Sequence, residues 1–161
     1  MRIIKYAFLI AVMLLPVHCS YAQSGNEKAE KTEEVEAISG EVMMINKKDF
    51  LEKIYNYEKN KDSFVYEGDL PCVIDFYADW CGPCKKVEPI LKELAGVYKG
   101  KVLFFKINVD NEKELAQFFR IQSIPTFFFI PVQGELRWAE RALPRESFVE
   151  AIDKILLNKQ E

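Results

Sequence analysis

Two cysteines, Cys81 and Cys84, stand two residues apart in the stretch Trp80-Cys81-Gly82-Pro83-Cys84. On a helix that spacing places the thiols one turn apart, close enough to close a small disulfide ring. Thiol–disulfide exchange needs a thiolate, and an ordinary cysteine is mostly protonated at neutral pH. A helix that begins at Cys81 offers unpaired N–H groups and the positive end of its dipole, and both favour a sulfur anion there. Cys81 is therefore read as the attacking sulfur and Cys84 as the resolving one. The competing chemistry is metal binding, for which a bare Cys-x-x-Cys is half a zinc site. No second pair follows to complete four ligands, so redox chemistry is the reading and no metal is expected.

Two further residues sit where side-chain chemistry matters. Asp75 interrupts the apolar run 72–77. A charged carboxylate is costly to bury, so the expected response is a raised pKa. The alternative is a structural Asp bonded to backbone. Cys72 lies on the same run and reads as a small apolar core group.

The elements that position these residues begin after a leader. Residues 1–22 read as a secretory signal: Arg2 and Lys5, an apolar run over 6–15, Pro16, then small residues at 20 and 22 for cleavage before Gln23. The run has about half the ~20 residues that cross a bilayer. An uncleaved anchor facing the periplasm, or lipid attached at Cys19, is the alternative. Cleavage removes two of 22 basic residues and none of 25 acidic ones, leaving a net charge of −5. That balance argues against a nucleic-acid partner. It also removes His18, the chain's one histidine, and with it any Cys-His or Ser-His nucleophile. Residues 23–40 are polar and charged and read as a flexible linker. Residues 41–161 form one domain.

Within that domain the patterns alternate. Strands are expected at 42–45, 72–77, 102–109, 126–130 and 135–140, the last two as a hairpin turning at Gly134. Helices are expected at 49–57, at 81–98 with Pro89 inside it and Gly100 as its stop, at 112–119, and from Pro144 onward. Helices between the middle strands imply parallel pairing. The class is α/β, a mixed sheet with helices on both faces.

The stretch from Asp75 to Lys85, with Pro89, Lys106, the Ile124-Pro125-Thr126 triplet and Gly134, resembles the thioredoxin family over about residues 42–157. The resemblance implies the thioredoxin fold and protein disulfide reduction without a bound cofactor. It implies that Asp75 lies behind Cys84 and relays its proton, with Lys106 near that carboxylate as a modulator. It also implies a cis bond at Pro125 and a docking groove beside Cys81 in which the Ile124 backbone pairs with substrate, lined by Trp80, Gly82 and Pro83. One departure stands out: Arg141 occupies a position where the family usually has glycine. An arginine there narrows the groove or favours acidic partners.

Direction of electron flow is read from the residues between the cysteines. Strong oxidants of this fold tend to carry histidine where this chain has Pro83. The reference potentials of about −270 and −120 mV differ by roughly 7 kcal/mol for two electrons. Gly82-Pro83 therefore predicts a reductant of disulfide-containing exported proteins, monomeric and periplasmic. No dinucleotide fingerprint is present, so electrons come from a thiol donor, soluble or in the membrane. An oxidase or isomerase of secreted proteins, and a non-catalytic chaperone module using the groove, are the alternatives.

Overall fold

The structure is a computed structural model and describes residues 40–159. The expected signal at 1–22, the linker up to residue 39, Cys19, and residues 160–161 lie outside the described residues.

Predominantly apolar runs form the middle of the sheet. Strands β2 (Cys72–Tyr77) and β3 (Leu103–Asn108) pair in parallel, and β1 (Val42–Met44) adds in parallel on the far side of β3. Strand β4 (Thr126–Ile130) runs antiparallel to β2, and β5 (Arg137–Glu140) closes the hairpin as an exposed edge. The order is β1-β3-β2-β4-β5. Parallel neighbours need helical crossovers, which is why helices cover both faces.

Helix α1 (Lys47–Lys53) and helix α3 (Lys113–Phe118) lie on one face, where Phe50 and Leu115 pack with Ile74, Phe76, Phe105 and Phe128. Helix α2 (Gly82–Val97) and helix α4 (Arg145–Ala151) lie on the other, where Leu91, Leu94 and Phe148 pack with Val73, Phe104, Phe127 and Phe129. Phe127 and Phe148 meet edge to face at 4.8 Å. This is the arrangement in which a positive ring edge meets a negative ring face.

Helix α2 continues through Pro89 and ends at Tyr98, with Gly100 at φ +72°, a backbone that glycine adopts without steric cost. Beyond α4 the chain widens into a π-helical segment, Ile152–Leu156, closed by the Leu157 N–H on the Ile152 carbonyl at 3.0 Å.

Helix α1 differs from the expected 49–57. Asn46 and Asp49 form a reciprocal capping box that starts the helix earlier, and the chain leaves it at Ile54. The apolar residue Tyr57, which looked like the next rung, instead stacks on Phe118 at 4.0 Å between ring centroids. Strand β5 begins at Arg137 rather than at residue 135.

Candidate functional site

The helix that carries the two cysteines begins where the sequence pattern put it. Cys81 is the N-cap of α2 in extended backbone, and Pro83 occupies the first turn, where its missing N–H leaves no partner wanting. Cys81 and Cys84 are joined as a disulfide with an S–S distance of 2.08 Å and a Cα–Cα distance of 5.3 Å. The Cys84 N–H donates to Cys81 Sγ at 3.2 Å. A free helix N–H is thus aimed at the sulfur, and in the reduced protein it would favour negative charge there.

Both sulfur residues are covered, Cys81 and Cys84 each being 3% exposed. Ala78 is buried against them, with Tyr77, Val109 and Ile124 packed alongside. What faces solvent is the collar: Trp80 is 70% exposed, and Gly82 and Pro83 are exposed too. A Cβ added at Gly82 would meet nothing within 4 Å, so the fold does not need glycine there. Its missing side chain leaves the surface beside Cys81 open.

Trp80 is held in place on the surface. Its indole N–H donates to Asp110 Oδ2 at 2.8 Å. The Asn108 side chain ties this together, accepting the Asp110 N–H at 2.9 Å and donating to Asp79 at 3.3 Å. An exposed tryptophan fixed by a carboxylate gives a rigid apolar platform beside the sulfur pair.

The second wall is the segment before β4. The Ile124–Pro125 bond is cis. The Ile124 carbonyl oxygen lies 3.8 Å from Cys81 Sγ. Trp80 and Ile124 line a shallow groove with Val109 and Ser123. Arg141 is exposed and bonded to this wall: its N–H donates to the Pro125 carbonyl at 2.8 Å, and its φ is +74°. The left-handed region favours glycine, so an arginine there is strained.

Behind the cysteines lies Asp75, 5% exposed and with its Oδ1 making no hydrogen bond to the protein. Burial is the main reason its carboxyl is pushed up to about 7; Lys106 pulls the other way, and Glu88 adds to the rise. Asp75 and Lys106 are register partners on parallel strands, so both side chains leave the same sheet face. Asp75, Cys84, Lys106 and Glu88 line one cleft of about 270 Å³.

The expected residues thus gather as two walls and a back cleft around one disulfide. Cys72 lies apart, free and fully buried on the opposite face, its thiol pushed up to about 12 by burial. Three residues were not singled out from the sequence: Asp110, Glu88 and Ser123, whose hydroxyl donates to Glu140 at 3.1 Å. Glu88 carries a signal in its spacing, four residues past Cys84 on one helix face. Asp110 has none, because its link to Trp80 spans 30 residues.

The thioredoxin family model matches residues 41–154. Among curated relatives, a thioredoxin of Borreliella burgdorferi is 36% identical over 104 residues, which cover 65% of this chain and 88% of the relative. Thioredoxin 1 of Chlorobaculum tepidum is 44% identical over 77 residues, covering 48% and 75%. Among solved structures, thioredoxin f from spinach chloroplast is similar with a TM-score of 0.62 and 32% identity, over 76% of this chain and 93% of that one. Chloroplastic thioredoxin z gives a TM-score of 0.59 and 27% identity, over 71% and 94%.

Proposed function

The chain belongs to the thioredoxin family and is a thiol–disulfide oxidoreductase, and from that premise we propose that it reduces disulfides of exported proteins in the periplasm, supplied with electrons by a thiol donor. The observation that carries the exchange chemistry is the helix N–H aimed at Cys81 Sγ beside the Ile124 carbonyl. The Cys81 thiolate attacks one sulfur of the substrate disulfide, forming a mixed disulfide and expelling the other sulfur as a thiolate. Asp75 accepts the Cys84 proton, and the Cys84 thiolate attacks Cys81 Sγ. The second substrate sulfur leaves as a thiolate, and the Cys81–Cys84 disulfide remains for the donor to reduce. The two electrons come from the enzyme dithiol and end on the substrate sulfurs.

Support for the reducing direction is Gly82-Pro83 between the cysteines, without the histidine of strong oxidants. An equilibrium titration against glutathione is expected to give a potential near about −270 mV. A value of about −120 to −180 mV would assign the chain to oxidation or isomerisation instead. Support for export is the leader pattern at residues 1–22. Mixed-disulfide capture by Cys84→Ala in the native host identifies the substrates and the compartment in which they meet the enzyme.

Arg141 bears on which substrates fit, standing beside the docking wall with its backbone bonded to Pro125. Arg141→Gly removes a left-handed penalty of about 1–2 kcal/mol and adds about 0.5–1 kcal/mol of glycine chain entropy. A net gain of up to about 1.5 kcal/mol in urea unfolding is expected, together with a loss of preference for acidic over neutral substrate peptides. Equal peptide ratios for the two proteins end the substrate role, and a lowered urea midpoint ends the strain argument.

A further inference from the structure

The cleft behind Cys84 holds a second carboxylate besides Asp75. Glu88 lies one helical turn beyond Cys84 on α2 and lines the cleft with Asp75 and Lys106. Lys106 is the register neighbour of Asp75, yet its ion pair is with Glu88, at 4.0 Å. The same Glu88 oxygen takes Lys92 at 2.8 Å, and that contact holds the Glu88 carboxyl below its usual range, hence ionised at neutral pH. Asp75 Oδ1 is left without a hydrogen bond.

We propose that Glu88 is a positioning residue of the dithiol reaction: it anchors Lys106 at the mouth of the cleft and so sets how readily Asp75 takes and gives up the Cys84 proton. The groups facing Asp75 are few. From α2 come Cys84, Lys85 and Glu88, from β3 Lys106, and from β2 and the following turn Tyr77 and Asp79. Strand β4 contributes Phe127, which carries no charge. Lys106 is the cation that most lowers the Asp75 carboxyl and Glu88 the anion that raises it. With Glu88 neutral, the repulsion is gone and Lys106 is released toward Asp75, its register partner, and both changes favour ionised Asp75.

This inference rests on Asp75 exchanging the Cys84 proton, and the test keeps the two apart. Glu88→Gln is made alone and with Lys106→Met. The Asp75 carboxyl is titrated by carbon-13 NMR alongside the pH profile of disulfide turnover. Glu88→Gln is expected to lower both midpoints by about one pH unit, and to move them by less than half as much where Lys106 is methionine. No shift in the single variant, or an equal shift in both backgrounds, overturns the role of Glu88. A carboxyl titration that moves while the turnover profile stays fixed overturns it as well. An Asp75→Asn protein whose turnover profile matches that of the unsubstituted chain identifies the Asp75 reading as the one that failed.

Discussion

Cys81→Ser is expected to lower disulfide turnover at least about 10³-fold, the scale of loss when a nucleophile is removed from a reacting unit, while Cys84→Ser should complete one half-reaction and stop. Serine is close to cysteine in size, but its hydroxyl is not ionised near neutrality and its oxygen forms no disulfide with substrate. The Cys84 N–H that meets Cys81 Sγ at 3.2 Å would then face a neutral hydroxyl. In Cys84→Ser the first attack proceeds, one substrate thiol is released per enzyme, and the mixed disulfide persists because no second sulfur displaces it. Mass spectrometry reads that adduct directly. Loss of the native fold does not confuse the result, since the disulfide spans only three residues and constrains the unfolded chain little. Turnover in Cys81→Ser above a tenth of the unsubstituted rate would mean that the reaction does not run through the sulfur pair, and a substrate adduct that forms on Cys84 in Cys81→Ser but not on Cys81 in Cys84→Ser would reverse the assignment of the two sulfurs.

Several features were legible because they are local. Strands β2 and β4 are apolar runs, broken in β2 by Asp75 alone and opened in β4 by Thr126, and they occupy the residues the pattern marked, 72–77 and 126–130. The start of α2 was legible because Pro83 suits a first turn and Cys81 precedes it. Helix α1 was misplaced because Phe50, Ile54 and Tyr57 fall at helical spacing along 49–57. The Asn46–Asp49 box sets the real start, and the Tyr57 ring answers to Phe118, 61 residues away.

Relations between elements were legible only in outline. Adjacency of the Asp75 and Lys106 strands followed from the order of elements, but the preference of Lys106 for Glu88 depends on how α2 lies across the sheet. The Trp80–Asp110 bond depends on the turn after β3 reaching the collar of the sulfur pair. Neither the helix's placement nor the turn's reach is encoded in spacing along one element. Arg141 shows the opposite case. Its type was noticed as a departure, and the backbone then showed why glycine is usual there: a φ of +74° that a side chain tolerates poorly.

Asp75→Asn is expected to make the oxidised protein more stable at pH 8 by up to about 4 kcal/mol, with the difference disappearing near pH 4. The carboxyl titrates near 7 when folded, against 3.8 as its ordinary value, because burial penalises the charged form. Between those values the folded protein binds more protons than the unfolded chain, so its stability declines as pH rises through the window. Below about pH 4 both states are protonated and the penalty is absent; above about pH 7 it is complete. Three pH units at about 1.36 kcal/mol each give the upper bound. Asparagine is the apt replacement because it keeps the shape and neutrality of the protonated carboxyl, differing by one added N–H donor, so most of the burial cost is common to both at low pH. Urea unfolding of both proteins from pH 4 to pH 8 reads the difference. A gap that stays constant with pH, or one that widens toward acid, would mean that Asp75 is not held neutral by burial, and its carboxylate would then be a weaker base toward the Cys84 proton than the mechanism uses.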